Sequence, residues 1–162
     1  LLLLRGAALS KVETLATLTD ATTHLEAGDL DGDGALDVVI VGSGQDRLFL
    51  NDGAGHFFDD TVRAMPLDAS SGTWATLRDL DRDLALDLVI ANSFAQTRLY
   101  LNDGTGRFVD ATPLLPMRAD QAIWTAALDL DGDVDLDVVL LHATPPSHLY
   151  LSVPPSPHDL AP

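Results

Sequence analysis

The sequence predicts an all-β protein made of β-propeller blades, three four-stranded antiparallel repeats of about 50 residues that form part of a larger or oligomeric propeller. Three observations predict it. An Asp-rich loop recurs at residues 29, 79 and 129, each time 50 residues on. The same short apolar runs and turn residues follow each loop in the same order. A unit of that length, with four short strands and no room for a long helix, has the size of one blade.

The elements follow in order. Residues 1–22 form an N-terminal segment whose apolar spacing over 7–18 (Leu9, Val12, Leu15, Ala16) fits a short helix with Ser10 as its cap. The chain opens on Leu1–Leu4 without Met, which reads as a cut N-terminus. Repeat 1 covers 23–72, repeat 2 covers 73–122, and an incomplete repeat 3 covers 123–152. Each begins with a strand approaching the Asp loop (Thr23–Ala27, Thr73–Leu77, Ile123–Ala127). In repeat 1 a β-branched run over Leu36–Val41 comes next, then a hairpin turn at Gly42-Ser43-Gly44. Arg47–Leu50 is the third run. Asn51-Asp52-Gly53-Ala54-Gly55 is a tight turn, its glycines supplying positive φ. Phe57–Thr61 is the fourth run. Repeat 2 repeats the pattern through Arg98–Leu101, Asn102-Asp103-Gly104 and Phe108–Thr112. Repeat 3 keeps only Leu149-Tyr150-Leu151, and a Pro-rich tail over 153–162 cannot sustain a central strand. His24, Trp74 and Trp124 occupy matching places, which suits packing between blades.

Composition points at the loops. Of 25 acidic residues 23 are Asp and two are Glu, against 9 Lys and Arg, for a formal charge of −16. A charge of that sign argues against nucleic acid and anionic membrane as partners, since both need basic patches. No stretch reaches the ~20 apolar residues of a membrane span. The absence of cysteine excludes disulfides, thiolate metal sites and a Cys nucleophile.

The Asp skew has a chemical reading. Asp29, Asp31, Asp33 and Asp37 stand at positions 1, 3, 5 and 9 of a nine-residue loop, with the Ala35 carbonyl at position 7. A hard cation such as Ca²⁺ takes six to eight oxygen ligands, and alternate positions of a tight loop converge on one centre. The second loop offers Asp79, Asp81, Asp83, Asp87 and the Ala85 carbonyl. The third offers Asp129, Asp131, Asp133, Asp137 and the carbonyl of Asp135. Up to three Ca²⁺ ions are expected, one per loop. In the second loop Arg82 and Leu84 replace the two glycines, and in the third Val134 replaces one. Leu84 is expected to resist a left-handed backbone, and Arg82 to offset part of its own loop's charge. No His pairs with the loops at ligand spacing, which disfavours zinc.

At these residues the chain resembles a known family. Asp-x-Asp-Gly-Asp-Gly-x-x-Asp, an apolar strand, then Leu-x-Leu-Asn-Asp-Gly-x-Gly-x-Phe-x-Asp-x-Thr is similar to the FG-GAP/VCBS repeat, over residues 23 to about 151. The resemblance implies blades of an integrin-α-type propeller whose Asp loops lie at one rim and bind Ca²⁺.

A ring closes with about four to eight blades, so three imply a partner: further blades, a second copy, or another protein that covers the exposed edges. No catalytic signature is present, and no enzyme activity is expected. The expected role is a calcium-binding scaffold for protein–protein contact, secreted, at the cell surface or periplasmic, where calcium is plentiful. Two alternatives stand beside it. One is a calcium-dependent carbohydrate-binding module with Trp74 and Trp124 as platforms. The other is the accessory domain of a larger secreted enzyme.

Overall fold

The computed structural model describes residues 20–117 and 121–152; the helix expected over 7–18 and the Pro-rich tail over 153–162 lie outside them. The described chain forms three antiparallel sheets in succession. The first is β1 (Thr22–Gly28), β2 (Asp37–Gly42), β3 (Arg47–Asn51) and β4 (Phe57–Asp59). The second is β5 (Ser71–Arg78), β6 (Asp87–Ser93), β7 (Arg98–Asn102) and β8 (Phe108–Asp110). The third has β9 (Ala122–Leu128), β10 (Asp137–His142) and β11 (His148–Tyr150), three strands among the described residues. Each sheet is a simple up-and-down meander, and the first strands β1, β5 and β9 lie side by side. That is the arrangement of propeller blades, three of the four to eight that a ring needs.

The strands end where the sequence changes character. Asn51-Asp52-Gly53-Ala54-Gly55 turns tightly, with φ of 73° at Gly53 and 88° at Gly55, and the Asp52 amide donates to the His56 carbonyl. The run expected over Phe57–Thr61 stops at Asp59. The Asp59 carboxylate accepts the Thr61 amide at 3.1 Å, and one helical turn, α1 (Thr61–Ala64), follows. Thr61 Oγ1 then accepts the Leu48 amide at 3.0 Å. Repeat 2 does the same with Asp110, Thr112 and Leu99. The Asp-x-Thr motif is therefore a lock between the outer strand and the third strand, not strand itself.

Alternation puts apolar residues on both faces of each sheet, as a stacked blade requires. We call the face toward the following blade trailing and the other leading. Leu30, Val39, Val41 and Leu48 on the trailing face of blade 1 meet Leu88, Ile90 and Tyr100 on the leading face of blade 2. Val89 and Leu99 behind blade 2 meet Val138 and Leu140 of blade 3. Val38, Ile40 and Phe49 on the leading face of blade 1 are buried too.

Polar groups fix these junctions. The first strands carry matching register shifts at Thr23, Thr73 and Ile123. At the first, Thr23 Oγ1 lies 3.1 Å from the Val41 carbonyl and 2.7 Å from the Gly72 carbonyl of the next blade. Thr73 repeats this with Ala91 and Ala122. Between blades 1 and 2, Asp68 accepts two bonds from the Arg98 guanidinium (2.7 and 3.2 Å), one from Ser70 Oγ and one from the Tyr100 hydroxyl. Burial pushes the Asp68 carboxyl up, but these donors outweigh it and hold its pKa below the ordinary value. Asp46, buried beside it, has no such donors at Oδ1.

Candidate metal centres

The three Asp loops join the first and second strands of the three blades, so adjacency of those strands brings the loops to one rim. Asp29, Leu30 and Gly32 of loop 1 line one cleft with Asp83, Leu84 and Ala85 of loop 2 and the Asp103-Gly104 turn. Loop 2 reaches loop 3 through Arg82, whose guanidinium lies 2.8 Å from Asp135. Arg82 therefore offsets charge in the neighbouring loop, where the sequence led us to expect it to act in its own.

Each loop gathers three carboxylates, with one oxygen from each within 4.8 Å of the others: Asp29, Asp31 and Asp33; Asp79, Asp81 and Asp87; Asp129, Asp131 and Asp137. Asp37, Asp83, Asp133 and Asp135 stand outside these triads. The position-5 side chain turns back to accept the position-7 amide: Asp33 from Ala35 at 2.7 Å, Asp83 from Ala85 at 2.8 Å, Asp133 from Asp135 at 2.9 Å. That leaves its second oxygen for other use.

Position 9 has a second job that the spacing of the carboxylates does not announce. Asp37 is fully buried, and its two oxygens accept the amides of Leu30 in the loop and Asn51 at the end of β3, both at 2.8 Å. Asp87 does the same with Leu80 (2.7 Å) and Asn102 (2.9 Å), and Asp137 with Leu130 (2.9 Å) and Ser152 (2.8 Å). One carboxylate thus pins the loop to the third strand. Burial raises the pKa of Asp37 and Asp87, with Asp31 and Asp33, or Asp81 and Asp83, adding repulsion. At Asp137 the Leu130 and Ser152 hydrogen bonds prevail and lower it.

All three loops take the same backbone course. Gly32, Gly34 and Gly132 have φ of 77°, 88° and 83°. Contrary to the expectation for Leu84, that residue also adopts a left-handed φ of 75°, as do Arg82 at 67° and Val134 at 78°. Loop closure wins over local preference: the amide at position 6 donates to the position-1 carboxylate in every copy (Gly34, Leu84 and Val134 to Asp29, Asp79 and Asp129). A left-handed non-glycine residue costs roughly 1–2 kcal/mol, more for a β-branched one. Val134→Gly is therefore expected to stabilise the protein by about 1 kcal/mol, read as a higher urea midpoint at unchanged slope; a lower midpoint contradicts the strain.

Loop 2 fits a cation in a further way. In loops 1 and 3 the second oxygen of the position-1 Asp accepts the position-4 glycine amide, at 2.9 Å for Asp29 and 2.7 Å for Asp129. In loop 2, with Arg82 at that position, Asp79 Oδ1 is buried and has no hydrogen-bond donor. A buried carboxylate oxygen without a donor is costly, and a cation satisfies it. Burial, with the charges of Asp83 and Asp79, also raises the pKa of Asp81.

Asn102 was legible only as a turn former. Its Nδ2 in fact donates to the Leu30 carbonyl across the blade junction at 2.8 Å. His24 stacks on Trp74 with ring centroids 3.7 Å apart, and Trp74 lies 6.4 Å from Trp124, so the aromatic positions form a ladder along the first strands.

Fold and loops together define a propeller-type repeat module with carboxylate clusters on one rim. The family comparison gives the same class: the FG-GAP-like repeat family matches at residues 29–90 and again at 79–140, and the chain belongs to that family. Each match runs from one Asp loop through the strand after the next, spanning a blade junction. No curated protein matches the chain.

Proposed function

We propose that the chain is a calcium-stabilised propeller module that acts outside the cytoplasm as a scaffold for protein–protein contact and carries no catalytic chemistry of its own. The observation that carries the reading is the recurrence of a three-carboxylate cluster in the equivalent loop of every blade. Calcium suits these clusters. The donors are hard oxygens, and a Ca²⁺ shell of six to eight ligands accommodates carboxylates, a backbone carbonyl and water together. Asp29, Asp31 and Asp33 would hold the first ion; Asp79, Asp81 and Asp87 the second; Asp129, Asp131 and Asp137 the third. Three ions change the formal charge from −16 to −10 (three times +2), relieving repulsion on one rim. Millimolar extracellular calcium matches loops of modest affinity, which favours a secreted, surface or periplasmic setting. Among the described residues no helix is long and apolar enough to cross a membrane. His24 covers one face of Trp74, which favours packing over a sugar platform for the aromatic ladder.

Thermal unfolding with and without calcium tests the reading. At a free concentration ~100 times Kd each site adds about 2.7 kcal/mol. One millimolar Ca²⁺ is therefore expected to raise Tm by roughly 10 °C or more over the chelated protein, with Mg²⁺ giving a much smaller shift. Equal midpoints in calcium and chelator contradict it.

A further inference from the structure

The leading face of blade 3 departs from that of blade 2 at two matching positions. In blade 2 they are Asn92 and Arg98. Asn92 is buried and its Nδ2 donates to the Gln96 carbonyl at 2.9 Å, while Arg98 is held by Asp68. In blade 3 the same positions carry His142, at the end of β10, and His148, at the start of β11. The Asp loop joins β10 at its other end, so these imidazoles stand apart from the carboxylate rim. Alternation fixes the side they occupy. His148 is opposite Leu140, which is buried in the junction with blade 2, and Tyr150, two residues on, packs on the same cluster. The pair therefore lies on the side toward blade 2, and both residues are half-buried.

The spacing of the two rings is that of two ligands on one ion. His142 Nε2 lies 3.4 Å from His148 Nδ1, with the ring planes at 87°. A hydrogen bond between the rings would draw the nitrogens to about 3 Å. Two nitrogens each about 2.0–2.1 Å from a tetrahedral ion stand about 3.4 Å apart. With the ring centroids at 4.6 Å, a modest turn of either ring about χ2 aims both nitrogens at one point. The two residues sit diagonally on paired antiparallel strands. The backbone that carries them is already fixed, so binding an ion orders only two side chains.

We propose that His142 and His148 form a second kind of metal site, a two-imidazole site for a borderline divalent cation such as Zn²⁺ or Cu²⁺. Imidazole nitrogen suits these ions, whereas Ca²⁺ takes oxygen, so this site is chemically distinct from the Asp loops and does not depend on the calcium reading. Two protein ligands leave two positions of a tetrahedral shell for water or for a donor from a docked partner.

Zinc titration of the chelator-stripped 162-residue chain in millimolar Ca²⁺ tests this, with the imidazole resonances read residue by residue by NMR. The expected result is one Zn²⁺ at this site, with the His142 and His148 resonances shifted and those of His24 and His56 unmoved. His142→Ala and His148→Ala are each expected to weaken that binding roughly tenfold or more, since losing a ligand costs at least what losing its outer-shell partner does. His56→Ala is expected to leave it unchanged. The NMR reading uses the parent chain, so it decides the matter even where a variant fails to fold. Calcium stoichiometry measured on the same samples reports separately on the module reading. Unmoved His142 and His148 resonances at submillimolar Zn²⁺ overturn the proposal, and so does zinc binding that neither alanine variant weakens.

Discussion

Asp87→Ala is expected to lower the unfolding free energy by about 3–5 kcal/mol, a large part of the ~5–15 kcal/mol that holds a domain of this size. The carboxylate is fully buried, and its oxygens satisfy the Leu80 and Asn102 amides. Truncation leaves two buried donors without acceptors, each worth roughly 1–3 kcal/mol. It also unties loop 2 from β7 at the junction where Asn102 crosses to Leu30. Asp33→Ala is the contrasting variant. Its side chain is exposed and bonds within its own loop, so calcium-free stability is expected to change by less than about 1 kcal/mol while the first calcium site is lost. Urea unfolding in chelator separates the two. Equal losses for both variants contradict the clamp role of the position-9 carboxylate, which Asp33 does not share.

Asp46→Asn is expected to stabilise the protein at pH 8 and to leave it unchanged near pH 4. Burial, then repulsion from Asp68, raises the Asp46 pKa from 3.8 to about 7, with Arg98 opposing. Between those values the folded protein holds a proton that the unfolded chain has released. Stability is therefore fully present below pH 4 and is lost as pH rises through 7. The whole shift corresponds to about 4 kcal/mol at 1.36 kcal/mol per unit. Asn removes the titration and keeps the shape beside Gly72. Calcium-free unfolding at a series of pH values reads the difference between variant and parent. A difference that does not grow between pH 4 and pH 8 contradicts a neutral, buried Asp46.

Much of this architecture is written locally, which is why it is legible. Each blade carries its own strand runs and its own Asp loop, the first two blades carry a glycine turn as well, and the 50-residue repetition turns weak signals into a strong one. What is not legible depends on residues far apart in the chain. Asp68 and Arg98 are 30 residues apart, and nothing near either announces the pair. By spacing Asp37 reads only as one more ligand, because the letter does not tell a carboxylate that also binds two amides from one that does not. Only the fold, which carries the Asn51 amide to it, reveals the second role. Leu84 and Val134 show the limit of local preference: a penalty of roughly 1–2 kcal/mol does not stop a loop whose ends are set by two paired strands.

The central claim, that the repeated Asp loops are calcium sites, is tested most directly by calorimetric titration of chelator-stripped protein. The account predicts three sites per chain, with Asp31→Asn, Asp81→Asn and Asp131→Asn each removing one and leaving the other two. No heat at millimolar calcium, or a stoichiometry that none of these substitutions alters, would contradict it.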